Sequence, residues 1–359
     1  MKKIHLFWLL LAISINISSE SMQGMDQHQH QHKEMGDHAK HSAKMHGPIG
    51  LMGDHFHKRG ESMVSIRYMK MSMNQNYIGS KKISDLEILQ LPNPNGMPKN
   101  LSVVPQDMDM DMIMLGAMYA PTDFVTLMSM ATFNSKSMNL KTYQPMMERN
   151  ALGDFTTKSS DLSIFNFSAL FKIYDEDKSK FHAQLGLEKN MGKNDLQGQV
   201  LMPMGSLGSI VMPYGMQSGD KSYSVLSAIT YTKTYGSWKL GGQIKSKLNI
   251  QNKEWNFGDV SEINIWSQRD LNNISAWSLR LKIQDVKSID GLNKKIEAPV
   301  QTANPLNYGG ETVTFGIGIN VMLPQGSIGL EAYKPISRDL NGPQMSMDWG
   351  LQAGYHLSF

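Results

Sequence analysis

From Glu61 to the end of the chain, apolar and polar residues alternate in short runs, and the last run shows the period best. Trp349, Leu351, Ala353, Tyr355, Leu357 and Phe359 share one phase; Asp348, Gly350, Gln352, Gly354, His356 and Ser358 share the other. A period of two places successive side chains on opposite faces of a strand, so this run predicts a strand with one apolar and one polar face. The dyad recurs with Val313, Phe315, Ile317, Ile319, Val321 and Leu323 on the apolar phase. It is repeated around Phe165–Ile173, Phe181–Leu187, Trp238–Ile244 and Trp277–Ile283. With the weaker segments, about 12 strands are predicted, an even number as bacterial barrels require. Their starts fall near residues 61, 107, 123, 161, 180, 221, 237, 258, 274, 310, 326 and 346.

Connection lengths provide an independent test. Short turns are predicted at Pro121-Thr122-Asp123, Asp175-Glu176-Asp177-Lys178, Tyr235-Gly236, Arg269-Asp270-Leu271-Asn272 and Pro324-Gln325. The intervening connections read as long, over 75–106, 136–160, 191–220 and 287–309, with shorter ones at 251–257 and 337–345. Short turns on one rim and longer loops on the other define a transmembrane antiparallel up-and-down β-barrel. A soluble β-sandwich or solenoid with one wet face would share the dyad, but not the even count and the loop asymmetry. Both ends of the barrel chain then lie on the short-turn rim, facing the periplasm. The terminal aromatic Phe359, closing a dyad strand, resembles the signal read by the outer-membrane assembly machinery.

Four stretches carry a family resemblance: GDHFHKRGESMVSIRYMKM (53–71), MDMDMIMLGAMYAPTDFVTLMSM (108–130), MPYGMQSGDKSYSVL (212–226) and LNGPQMSMDWGLQAGYHLSF (340–359). They resemble outer-membrane barrels known as transporter-like proteins of the phenol meta-pathway type. The resemblance implies a barrel, and transport of a small aromatic or apolar compound, without fixing a substrate.

The region before the barrel has a different character. Lys2 and Lys3, the apolar run Leu6–Ile17 and small residues Ser18, Ser19 and Ser21 read as a signal peptide over 1–19. The apolar run is too short for a transmembrane helix, which needs about 20 residues. Residues 20–60 form a His- and Met-rich tract with few core-forming residues, expected to be disordered or to act as a plug. Residues 61–359 form the barrel. Cysteine is absent, which excludes disulfides, thiolate metal sites and a cysteine nucleophile. The formal net charge of +3 gives no reason to expect a nucleic-acid partner.

Candidate chemistry rests on methionine and histidine. Of 29 methionines, 20 lie between Met22 and Met147. If Val64, Ile66 and Tyr68 face lipid, then Met69 and Met71 face the lumen. By the same phase Met108, Met110, Met112 and Met114 on the second strand, and Met128 and Met130 on the third, also point inward. Thioether sulfur is a soft neutral donor suited to Cu(I) or Ag(I), although methionine also serves as flexible filler. Asp107, Asp109 and Asp111, on the opposite phase, suggest that the first half of the second strand projects beyond the hydrocarbon zone. The N-terminal tract holds His28, His30, His32, His38, His41, His46, His55 and His57, eight of the chain's 11 histidines, which suit copper, zinc or nickel. His182 and His356 read as ordinary lumen residues. No nucleophile elbow and no phosphate-binding glycine loop is present, so no enzyme activity and no required cofactor is expected. The expected partners are outer-membrane lipid, the assembly machinery and a small solute or metal ion. Copper or silver ions lead as solute, with small aromatic or apolar compounds as the alternative and a barrel without transport as a third reading.

Overall fold

The computed structural model describes residues 43–146, 148–176 and 178–359. Twelve long strands form a closed antiparallel barrel. They are β1 (Ser62–Met73), β2 (Val103–Tyr119), β3 (Val125–Tyr143), β4 (Ala151–Glu176), β5 (Ser179–Asn190) and β6 (Tyr223–Tyr235). The second half comprises β7 (Trp238–Asn249), β8 (Val260–Asp270), β9 (Ser275–Val286), β10 (Gly310–Leu323), β11 (Gly326–Ser346) and β12 (Trp349–Ser358). Each pairs with its neighbours in chain order, and β12 returns to pair with β1 from Met63↔Ser358 to Ser72↔Trp349. Backbone bonds between Ser62 and Phe359 extend that seam by one more pair. Closure satisfies backbone groups that an open sheet would expose to hydrocarbon.

The dyad reads out as predicted. Val64, Ile66, Ile113, Leu115, Phe165, Phe167, Leu185, Leu187, Ile265 and Ile317 are exposed on the outer wall. Their inward neighbours, among them Arg67, Thr126, Ser168, Gln184 and Asn264, are buried. An apolar outside and a polar inside invert the pattern of a soluble barrel, and the outer face is what lipid covers. Aromatic side chains mark the short-turn rim, with Tyr119, Phe124 and Tyr235 exposed there. Trp238 and Trp277 stack edge to face at the same level, with ring centroids 5.6 Å apart.

Two expected loops are strand instead. β3 and β4 run for 19 and 26 residues and leave only 144–150 between them, so most of 136–160 is a long hairpin. β11 runs for 21 residues, absorbing 337–345, and turns into β12 at Met347–Asp348. A tilted strand crosses the hydrocarbon in about 9–11 residues, so these strands stand well beyond it. Above the membrane the outer face is wet and polar, as at Ser135 and Asn139, so the apolar-out dyad ends there, which is why the sequence pattern faded. Asp107 accepts from Asn139 at 2.7 Å in this projecting wall, as the alternate-phase aspartates suggested. Between β10 and β11 the register slips at Val313 and Thr314, where Pro335 of β11, which has no N–H, sits opposite Thr314.

The long-loop rim is roofed. A hairpin of Gln197–Leu201 and Leu207–Val211, and a short pairing of Trp255–Asn256 with Asp290–Gly291, fold over the mouth. Tyr214, Trp255, Met212, Met216, Ile289 and Ile296 form the apolar centre of this roof together with Met108, Met138 and Leu140 of the wall. Beside it, Gln75–Gly79 pairs with the upper end of β11, and a five-residue helix, α1 (Asp85–Leu89), is closed by a capping box between Ser84 and Glu87.

Candidate functional site: a plugged lumen

Of the two alternatives for the N-terminal tract, residues 43–60 take the plug form; the part up to residue 42 lies outside the described residues. The segment folds back on itself through a turn at Pro48–Leu51 and a bond from the Gly47 amide to Asp54 Oδ2 at 2.5 Å. Buried Ala43, Ile49 and Leu51 give it a small apolar side, while its backbone is read by inward-facing polar side chains.

Those readers come from β1 and from β7 to β11. Arg67 on β1 donates from Nη1 to the Ile49 and Leu51 carbonyls at 3.0 and 2.6 Å. Lys239 on β7 donates to the Lys44 and Met45 carbonyls, each at 2.9 Å. Gln268 on β8 and Asn320 on β10 both reach the His46 carbonyl, and Gln243 on β7 reaches that of Met52. Glu331 on β11 accepts from the Gly50 amide at 2.9 Å and pairs with Arg280 on β9 at 2.7 Å. Lys44 pairs with Asp270 at 2.6 Å. The contacts to plug carbonyls and to the Gly50 amide satisfy backbone groups that would otherwise be buried unpaired, so the polar inward phase and the plug specify one another.

Glycine is required at two of these approaches. Gly50 lies so close to Arg280 and Glu331 that a Cβ would come within 2.3 Å of the guanidinium. Gly53 has a φ of +64° and presses on Gln184.

The plug gathers histidines. His46 and His55 stack edge to face with centroids 4.5 Å apart, and His55 and His57 at 5.0 Å. His356, reaching in from β12, lies 5.1 Å from His46. Ligand atoms of His46, Asp54 and His55 fall within 4.8 Å of one another. Burial disfavours imidazolium, holding His46 well below its ordinary value and pushing His57 down to about 4. These two rings are therefore neutral, with lone pairs available, at neutral pH.

The sequence-predicted residues are only partly brought together. His28, His30, His32, His38 and His41 lie outside the described residues. Met69 and Met71 line a lumen cavity of about 490 Å³ above the plug, with Lys245, Glu262, Arg280 and Lys282 across from them. The β1–β2 register sets Met69 opposite Met112, Met71 opposite Met110 and Met73 opposite Met108. Beyond these pairs Met114 faces Arg67 across the strands, and Thr132 follows on β3. Met108 belongs to the apolar roof, so its surroundings are those of a packing residue. Met128, with Met63, Met118 and Leu170, is buried near the periplasmic end, while Met130 lines a small cavity beside the plug.

His182 and His356 correct the sequence reading. Neither is an ordinary lumen residue: His182 Nε2 contacts the Gly53 carbonyl at 2.9 Å, and His356 packs on His46. Arg67, Lys239, Arg280 and Glu331 were not singled out from sequence. A charged residue on the inward phase of an otherwise lipid-buried strand was the available signal, since it demands a partner in the lumen.

The roof encloses a second site. A cavity of about 1040 Å³ is lined by Met138 and Leu140 of β3, Phe155 of β4, Val200 and Ile210 of the loop hairpin, and Val300. Lys294, Lys295 and Glu297 are among its few charged members.

No protein-family model and no curated protein sequence matches the chain. Among solved structures it is similar to an outer-membrane channel from Pseudomonas putida F1, at 14% identity and a TM-score of 0.55, covering 86% of this chain and 99% of that one. It also aligns with the beta domain of the Bordetella autotransporter BrkA, at 9% identity and a TM-score of 0.46, over 84% of this chain and 100% of that one. The fold is that of an outer-membrane β-barrel, and the protein is located in the outer membrane of a Gram-negative bacterium.

Proposed function

We propose that the protein is a plugged outer-membrane channel that takes up small apolar solutes from the external side. The observation that carries this reading is the roof cavity, of ligand size and walled mainly by Met, Leu, Val, Ile and Phe side chains. Such a cavity gains free energy by removing apolar surface from water, at about 25 cal/mol per Å², and its few polar groups leave little to hold an ion. Resemblance to the phenol meta-pathway type points in the same direction, to small aromatic compounds. Below the cavity the plug blocks the periplasmic half, so passage requires the plug to shift, or the solute to leave by another route.

The experiment is uptake of a radiolabelled monoaromatic hydrocarbon by cells carrying the protein, with Ile210→Asp and Phe155→Asp as variants. Both residues line the cavity and neither touches the plug. Uptake above barrel-free cells, lost in both variants while heat-modifiable assembly persists, supports the reading. Equal uptake by cells with and without the protein refutes it.

One observation favours a second reading, passage of Cu(I) or Ag(I). Met69 and Met112, and Met71 and Met110, are direct cross-strand neighbours, and such pairs hold their Cβ atoms about 4.5–5.5 Å apart. That spacing allows two thioethers to share one soft cation.

A further inference from the structure

We propose that His46, Asp54 and His55 form a binding site for one divalent first-row transition cation, with His356 joining them from the wall, and that the bound ion fastens the plug. This site is separate from the roof cavity and from the thioether pairs, and it holds whichever solute passes.

The geometry starts from donor chemistry. Two imidazoles and a carboxylate are the ligand set that zinc-class cations take with a water or a fourth protein ligand. Tetrahedral ligands at about 2.0–2.1 Å from such an ion lie roughly 3.4 Å apart. The three ligand atoms are already within 4.8 Å of one another, so side-chain rotation of little more than an ångström would close the set. Asp54 Oδ1 and His55 Nδ1 are 3.1 Å apart, yet they are not in hydrogen-bond geometry.

The unsatisfied nitrogens are a second observation. His46 Nδ1, both ring nitrogens of His55, and His356 Nε2 are buried without a hydrogen-bond partner. Leaving one such group unpaired costs about 1–3 kcal/mol, so several of them on His46, His55 and His356 call for a ligand. A cavity of about 20 Å³ beside Asp54 and His55 is lined by them with Met52 and Arg67, while His46 and His356 stand outside its lining. That volume suits a single water or ion. Asp54 is meanwhile held by the Gly47 amide through its other oxygen, which fixes the carboxylate as an outer partner fixes a metal ligand.

Placement gives the site its consequence. His46 lies on the first arm of the plug and Asp54 and His55 on the second, so one ion would bridge the two arms. His356 belongs to β12, whose other edge pairs with β1 at the seam, and would tie the bridged plug to the wall.

The test uses the full chain with His28, His30, His32, His38 and His41 replaced by Gln, so that binding by those residues does not mask the site. The refolded barrel is titrated with Co(II) and Zn(II) against a chromophoric chelator. One ion per chain is expected, with Co(II) visible absorption that Zn(II) displaces and Mg(II) does not. His46→Gln and His55→Gln, each folded by heat-modifiable mobility, should weaken binding at least about 100-fold. A single Cys placed at Ile49, in this cysteine-free chain, reports plug opening by maleimide labelling. Saturating Zn(II) should slow that labelling at least about tenfold, and should fail to do so in His356→Gln. Absence of a one-equivalent site in the parent, or unchanged affinity in both His variants, overturns the site. Labelling indifferent to Zn(II) in the parent overturns the fastening role.

Discussion

The Arg67 guanidinium lies 2.6 Å from the carbonyl oxygen of Leu51, joining the first barrel strand to the centre of the plug. The same nitrogen also donates to the Ile49 carbonyl at 3.0 Å. Replacing Arg67 with Met keeps much of the volume and removes both bonds. Orphaning buried acceptors costs about 1–3 kcal/mol, which raises the population of an opened plug by roughly one to two orders of magnitude. Maleimide labelling of Ile49→Cys, a position only 2% exposed, should accelerate accordingly while the barrel remains folded. Equal rates in the two backgrounds would show that Arg67 does not hold the plug.

The pair formed by Arg280 and Glu331 behaves differently, because both charges are buried. Glu331→Gln leaves the guanidinium without its counter-ion, and breaking a buried pair from one side costs about 3–5 kcal/mol. Replacing both residues with similar-sized apolar ones should cost much less. Urea unfolding of the refolded barrel, run as a double-mutant cycle, measures the difference. Additive single-residue costs would mean that the pair is not coupled.

Exchanging Met110, Met112, Met114, Met128 and Met130 for Leu separates soft-ion passage from filler. Each swap should cost under about 1.5 kcal/mol, so assembly persists. Leucine has no lone pair, so Ag(I) binding and tolerance should change if these thioethers handle ions. Parent-like Ag(I) behaviour would assign the column to packing and remove the second functional reading.

Glu87 gives a pH-dependent prediction outside the membrane. Its bond to Lys81, and bonds from the Ser84 backbone and hydroxyl, hold the carboxyl down to about 2. A depressed folded value means that the stabilising effect is fully present above the unfolded carboxylate range and is lost as pH falls toward 2. Side-chain NMR of Glu87 should titrate near 2, and amide protection in α1 should fall in the same window. Glu87→Gln should remove that dependence; a midpoint near 4.3 would contradict the capping-box geometry.

Much of the barrel was decided locally. Whether Leu351 or Gln352 meets lipid depends only on strand phase and on the opposite solvation of the two faces, and both are written in consecutive residues. Short turns such as Pro324-Gln325 are likewise local, since two residues suffice to reverse an antiparallel strand. Where the outer face leaves lipid for water, as in Lys136–Asn139 and Lys158–Ser160, the apolar-out phase ends, and strand was read as loop.

The site depended on relations that no local pattern contains. Which methionines face one another follows from strand register, so the pairing of Met71 with Met110, and the intrusion of Arg67 opposite Met114, appeared only in the folded barrel. His46, Asp54 and His55 are near in sequence, but His356 comes some 300 residues later and meets them only because the barrel closes on itself. The plug is the same case: residues 43–60 are too polar and too few to build a core of their own, and they are ordered by donors supplied from the wall. Sequence alone determined the alternation that makes a membrane barrel. Tertiary structure decided what fills it, because buried backbone groups take whichever partners closure brings within reach.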